Sequence, residues 1–150
     1  MTKTPFAPGQ FVWCRFPYSE APLSPGDKER IVYVADIRQR ADRRIFTVMS
    51  LYTTTVPWEP GSPLPLGVVP VTGAAAVKMN QKSFVIDARR IAFVPATEDF
   101  FPRLGSPERG IVYEATKGFR AHLENTLAQL VKRPDLIQVL GPEKPSRRKP

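Results

Sequence analysis

The sequence predicts a mainly β domain, a small barrel or strongly coiled sheet, that ends in one C-terminal α-helix. Three observations support this fold class. Short runs rich in β-branched and aromatic residues recur through the first two thirds of the chain. The 17 prolines are spread widely and exclude long helices where they cluster. Apolar residues recur at helical spacing only beyond residue 106.

Five or six short strands are expected. Residues 10–16, 29–37 and 43–52 alternate or are rich in β-branched and aromatic side chains, and a short RQRADR turn joins the second run to the third. These three runs predict an antiparallel meander. Further strand signals follow at residues 67–72, 82–86 and 90–94.

Two loops are longer than strand connections require. Twelve residues, 17–28, separate the first strand from the second, although antiparallel neighbours need only a few. The stretch 53–67, TTTVPWEPGSPLPLG, has four prolines and two glycines, which prevent a regular ladder, and it carries Trp58. Long loops of this kind commonly carry function.

The chain changes character at Ser106. Ser106 and Pro107 have the residue types of an N-cap and a first helical position, and Pro134 ends the apolar repeat. We therefore predict a helix of about twenty residues or more, whose apolar positions 111–131 exceed what one small barrel covers and so favour a homodimer. The domain is expected to span residues 8–133, and the basic, proline-rich residues 134–150 to form a flexible tail.

Composition limits the function classes. The net charge of +8, from 22 basic and 14 acidic residues, favours an anionic partner such as nucleic acid or an acidic protein. One cysteine, Cys14, and one histidine, His122, do not make a disulfide or a Cys/His zinc site within one chain, and we expect no metal or cofactor. No segment has the roughly 18 apolar residues of a membrane span, so a soluble, cytoplasmic protein is expected.

Arginine is the residue type that remains for chemistry. Arg30 opens an apolar strand, which would hold its side chain rigidly beside the loop 17–28. If the second and third strands pair, the start of one lies near the end of the other, so Arg30 and Thr53 should be neighbours. A held arginine beside hydroxyl groups is the outline of a phosphate site. The arginines of the 38–44 hairpin fit a solvated turn equally well.

Four segments, PGQFVWCRFPYSE, KERIVYVADI, LYTTT and KSFVIDARRIAFVPATEDFF, resemble the PemK/MazF family of toxin endoribonucleases. The likeness covers residues 8 to about 130. It implies a compact SH3-like barrel that forms a homodimer, cleaves single-stranded RNA without a metal, and is blocked by an acidic antitoxin protein.

The resemblance also implies roles for particular residues. Arg30 would match the active-site arginine, and Thr53 or Thr54 the active-site hydroxyl. Ile31 stands where the family usually has proline, and TTT where a Thr-Ser pair is usual. The residues expected to bind substrate are Glu20, Lys28, Arg38, Arg40, Arg43, Arg44, Trp58 and Lys82.

Two other function classes fit the sequence. A protein of the same fold could bind nucleic acid or a regulatory protein without cleaving RNA. Alternatively, an SH3-like scaffold could bind proline-rich peptides through Trp13, Tyr18 and Trp58.

Overall fold

The computed structural model describes residues 4–39, 45–55 and 63–143. The prediction of a mainly β protein with one main helix near the C-terminus is confirmed. Within the described ranges, no helix is long and apolar enough to cross a membrane. The elements are β1 (Gln10–Cys14), β2 (Arg30–Gln39), β3 (Phe46–Thr54), β4 (Val68–Val71), α1 (Ala74–Lys78), β5 (Phe84–Pro95), β6 (Ile111–Glu114), α2 (Lys117–Leu130), a 3₁₀ turn (Pro134–Leu136) and β7 (Gln138–Leu140).

Six of the seven strands follow the order β4-β5-β3-β2-β1-β6 in one sheet. The seventh, β7, pairs with a later part of β5 than β4 does. The ladders are antiparallel except for the parallel pair of β5 and β7. The expected meander of β1, β2 and β3 is therefore present. In the part of the chain that the structure describes, no ladder joins β4 to β6, so closure into a barrel is not shown.

The two strands predicted at 82–86 and 90–94 are one strand, β5. Leu51 of β3 pairs with Ile91, while the next residue, Tyr52, pairs with Asp87. Three residues of β5, 88–90, therefore bulge out of the ladder, and a bulge bends a strand and redirects its side chains. The gap in the strand signal marks this bulge and not a turn.

The prediction that the helix begins after Ser106 is wrong. Arg109 and Gly110 have φ values of +57° and +80°, which break a right-handed helix, and Ile111–Glu114 forms β6 against β1. Helix α2 begins at Lys117, where the Thr116 hydroxyl caps it by accepting a hydrogen bond from the Phe119 N–H (3.2 Å). The apolar positions from 111 to 131 are thus divided between a strand and a helix.

Both faces of the central strands are buried, in two separate clusters. Helix α2 covers one face with Leu123 and Leu130, while the N-terminal segment and the turn after β5 cover the other with Phe6 and Phe101. This explains why β1 carries apolar residues on both faces. Phe11 belongs to the first cluster, whereas Val12 and Cys14 belong to the second, together with Phe16 just after the strand.

The segment predicted as a tail contributes to the sheet. Residues of β7 pair with β5, and Leu140 is buried against the second cluster. The Gly141 N–H then donates to the Pro22 carbonyl (2.7 Å), so β7 leads into a contact that braces the long 17–28 loop. The ordered sheet thus extends beyond residue 133, and residues 144–150 lie outside the described ranges.

Gly141 provides a test of this brace. Its φ is +99°, and an added Cβ would lie 2.2 Å from the Phe93 carbonyl oxygen, so we expect Gly141→Ala to lower the free energy of unfolding by about 2–4 kcal/mol. Gly73 also has positive φ, +63°, but open space around it. The loss in the free energy of unfolding should therefore be about 1–2 kcal/mol smaller for Gly73→Ala than for Gly141→Ala, as measured by urea denaturation. Equal losses for the two variants would contradict the described packing of residue 141.

Candidate functional site

The predicted proximity of Arg30 and Thr53 is confirmed. Arg30 is the first residue of β2 and pairs with Cys14 of β1. Its Nη1 donates to the Thr53 carbonyl oxygen (2.9 Å), and its guanidinium carbon lies 4.7 Å from the centroid of the Tyr52 ring. A strand start, a carbonyl and an aromatic face therefore fix the direction of this side chain.

Arg30 lines a cleft of about 450 Å³. The wall contains Trp13 from β1, Glu29 and the consecutive threonines that end β3. Arg103 engages the neighbouring Glu29 in an ion pair (3.0 Å) and stacks over the Trp13 ring (4.4 Å). Because Arg103 already neutralises Glu29, Arg30 is left with no carboxylate partner among the described residues.

The three threonines after Tyr52 have different environments. Thr53 is only 6% exposed, and its hydroxyl donates to the Ile31 carbonyl, so this side chain joins β3 to β2. Thr54 is half-buried, Thr55 is exposed, and both line the cleft. Of the two residues predicted to supply the active-site hydroxyl, Thr54 is thus better placed to meet a ligand than Thr53.

A second cavity, of about 230 Å³, lies next to the first. Arg30 and Tyr52 line both cavities, so the second begins where the first ends. Its other walls are the start of the 17–28 loop, including Ser19 and Glu20, and Arg90 from the bulge of β5. The long loop therefore has a definite place in the site.

Arg90 was not among the residues predicted to bind substrate. Its guanidinium carbon lies 4.0 Å from the centroid of the Tyr52 ring and 5.9 Å from that of Phe16. Two successive arginines at a gap in the strand signal are the only hint in the sequence. Which of the two faces the cavity depends on the bulge, because the bulge changes the alternation of side chains that a regular strand would give.

The other predicted binding residues are not all brought together. Glu20 lines the second cavity, whereas Lys28 and Lys82 are exposed and line neither cavity. Arg38 lies eight residues along β2 from Arg30, roughly 26 Å for an extended strand, and pairs with Asp36 (2.8 Å). The structure therefore separates Arg38 from the site. The remaining four, Arg40, Arg43, Arg44 and Trp58, lie outside the described residues.

Arg30 and Arg90, neither of which has a carboxylate partner among the described residues, thus meet at one ring. The guanidinium carbons of Arg30 and Arg90 lie 4.7 Å and 4.0 Å from the Tyr52 centroid. The distance between these two carbons is therefore no greater than the sum of the two values. At such a separation, and with an effective dielectric constant of 20, like charges repel by roughly 2 kcal/mol. A bound anion would relieve this repulsion.

Two side chains of the core, Cys14 and Tyr33, are buried and hold their protons tightly. Burial raises the pKa of the Cys14 thiol well above its usual range, and the nearby charge of Arg30 lowers it only in part. Burial also raises the pKa of Tyr33, to about 12. Cys14 is therefore a buried structural thiol and not a nucleophile.

No model of a protein family matches this chain, and a search among curated proteins finds no significant match. Within residues 4–39, 45–55 and 63–143, no three His, Cys, Asp or Glu side chains cluster as metal ligands would.

The raised pKa values predict how stability depends on pH. Both groups hold their protons more tightly in the folded state, so unfolding releases protons once the pH exceeds the unfolded values, about 8.5 for cysteine and 10 for tyrosine. The free energy of unfolding should be insensitive to these groups below pH 8 and fall above it, by up to about 1.4 kcal/mol per pH unit per group.

Urea denaturation between pH 7 and 10 measures this dependence. In Cys14→Ala the part of the decline that begins near pH 8.5 should disappear, whereas in Tyr33→Phe that part should remain. A wild-type stability that stays flat up to pH 10 would contradict the burial of Cys14.

Proposed function

We propose that this chain is a metal-independent endoribonuclease of the PemK/MazF kind, with an SH3-like barrel fold, that cleaves single-stranded RNA in the Arg30 cleft. The observation that carries this proposal is the Arg30 guanidinium itself. It is held by the Thr53 carbonyl and the Tyr52 ring, lines an open cleft, and has no carboxylate partner among the described residues. Such a charge is preorganised for a phosphate.

The proposed reaction is an attack by the ribose 2′-OH on the adjacent phosphorus. The 2′-O–P bond forms, the P–O5′ bond breaks, and the products are a 2′,3′-cyclic phosphate and a 5′-hydroxyl. The 2′-OH proton leaves to a base, and the departing 5′ oxygen gains a proton. Negative charge gathers on the phosphoryl oxygens in the transition state, where Arg30 would stabilise it.

The identity of the base affects the expected rate. Arginine is unsuitable because its guanidinium group does not lose its proton in proteins. Glu29 is engaged by Arg103, and Glu20 lies in the adjoining cavity. We therefore assign proton removal to water or to Glu20, the carboxylate in the wall of the adjoining cavity, and expect slow turnover.

A second function is favoured by the state of Thr53. Its hydroxyl is buried and committed to the Ile31 carbonyl, so it is not available to a substrate in this arrangement. A protein of this fold that binds single-stranded RNA without cutting it would show the same feature. The proposal of a homodimer now rests on the resemblance, because the apolar positions 111–131 are divided between β6 and α2. The proposal of an acidic antitoxin partner rests on the resemblance and on the net charge of +8.

Replacing Arg30 tests the ribonuclease proposal. Arg30→Ala should lower the rate of RNA cleavage by about a hundredfold or more, because one preorganised charge acts on the transition state. Arg133→Ala is the control, since Arg133 is exposed, pairs with Asp135 and lines neither cavity. Cleavage of a labelled single-stranded RNA is measured for variants shown by circular dichroism to be folded.

The same assay defines the chemistry. DNA of the same sequence should survive, because it has no attacking 2′-OH. Excess chelator should leave the rate unchanged. Full activity of a folded Arg30→Ala protein, or cleavage only after a metal is added, would overturn the assignment. RNA binding without any cleavage would favour the second function.

The two threonines should have separable effects. Thr53→Val removes the hydroxyl that donates to Ile31 and should lower the free energy of unfolding by about 1–2 kcal/mol, with little effect on the rate per folded molecule. Thr54→Val should instead lower the cleavage rate by about tenfold, because Thr54 lines the cleft and is less buried than Thr53. Denaturation and cleavage are measured on both variants. The opposite pattern would return the active-site role to Thr53.

A further inference from the structure

Arg90 has a buried donor without an acceptor. Among the described side chains, its Nε is one of two buried polar atoms that lack a hydrogen-bond partner, the other being Ser50 Oγ. Leaving a charged donor unpaired costs free energy, so such atoms are rare in folded proteins. The Arg90 Nη2 reaches the Ser19 hydroxyl only at 3.5 Å, which is the limit of a hydrogen bond.

The bulge explains why Arg90 lacks a carboxylate. Arg89, the residue before Arg90, donates two hydrogen bonds to the Asp87 carboxylate. They run from Nε to Oδ1 (2.8 Å) and from Nη2 to Oδ2 (2.9 Å). This fork uses both carboxylate oxygens. Arg89 is therefore neutralised, while Arg90 carries its charge into the second cavity with no ion pair to any described residue.

The remaining walls of the second cavity suit a phosphate. Arg90 and Arg30 both lie over the Tyr52 ring, and a guanidinium packed on a ring keeps its N–H groups free in its own plane. Ser19 adds a hydroxyl to the wall, which here donates to the Gln138 Oε1 (3.3 Å). Glu20 is the one carboxylate in the wall; its exposed side chain makes no ion pair with Arg90, but its negative charge opposes the binding of an anion.

We propose that this cavity, with Arg90 as its principal ligand, binds a phosphate group of the RNA backbone adjacent to the phosphate in the Arg30 cleft. The identity of the substrate rests on the proposed function. Because Arg30 and Tyr52 line both cavities, the RNA strand crosses Tyr52 and places one phosphate on each side of the boundary. Arg90 is thus a positioning residue that fixes where the strand is cut.

The first experiment uses inorganic phosphate and follows the arginine Nε–Hε signals by NMR. The Arg90 and Arg30 signals should shift saturably with phosphate and not with chloride at equal ionic strength. Glu20→Gln should bind phosphate more tightly, because it removes a negative charge from the wall of the cavity. Arg133→Gln, which removes one positive charge from a residue that lines neither cavity, should bind phosphate as wild type does. Absence of a saturable Arg90 shift would overturn the proposal.

The second experiment asks whether the phosphate belongs to a nucleic-acid backbone. Single-stranded DNA oligonucleotides, which lack the 2′-OH, carry one neutral methylphosphonate at each linkage in turn, and binding is measured by fluorescence anisotropy. Methylphosphonate at one of the linkages should weaken DNA binding to the wild-type protein by about tenfold. The same methylphosphonate should not change DNA binding to Arg90→Gln, because that variant has already lost the charge-assisted contact. Arg90→Lys should recover only part of the effect because it lacks the planar fork.

The outcomes separate the two proposals. If phosphate binds but no linkage couples to Arg90, the cavity takes a free phosphate and the backbone subsite is overturned. If one linkage couples to Arg90 while RNA is never cut, the subsite stands and the ribonuclease proposal fails. If RNA is cut at the same position and rate by Arg90→Gln as by wild type, the positioning role is overturned.

Discussion

The bulge at residues 88–90 of β5 is the constraint on which the site depends. A regular ladder would continue from Leu51 and Ile91 to a pair involving Tyr52 and Arg90, so both side chains would be set by ordinary alternation. Three extra residues instead bring Asp87 opposite Tyr52. The Asp87 carboxylate then pairs with Arg89. Arg90 instead packs over the Tyr52 ring, which Arg30 also contacts. A local irregularity in one strand thereby determines which cations are available to a ligand.

Rigid elements hold each part of this arrangement. Arg30 stands at the start of β2, between β1 and β3, and its contact to the Thr53 carbonyl joins it to a buried residue. The loop that completes the second cavity is fastened to the far end of the chain through Pro22 and Gly141. Two cavities that share Arg30 and Tyr52 respond together to any change at either residue.

The sequence predicted those features that depend on local pattern. Alternation located β1, β2 and β3, and their meander was enough to bring Arg30 to Thr53. The start of α2 was misplaced because Ile111–Glu114 satisfies helical spacing as well as strand composition, and pairing with β1 decides between them. Arg90 was missed for a related reason. A bulge follows from the register of two distant strands, which spacing along one strand does not contain.

The contact between Pro22 and Gly141 joins residues far apart in sequence. On the ribosome, β1, β2, β3 and the first half of β5 can pair long before β7 is synthesised. The hydrogen bond that holds the loop 17–28 can form only when residues 138–141 have emerged and β7 has paired with β5. Until then, the loop that lines the second cavity is not held in place by this contact. The arginines are therefore present in the nascent chain well before the cavity that they line is complete.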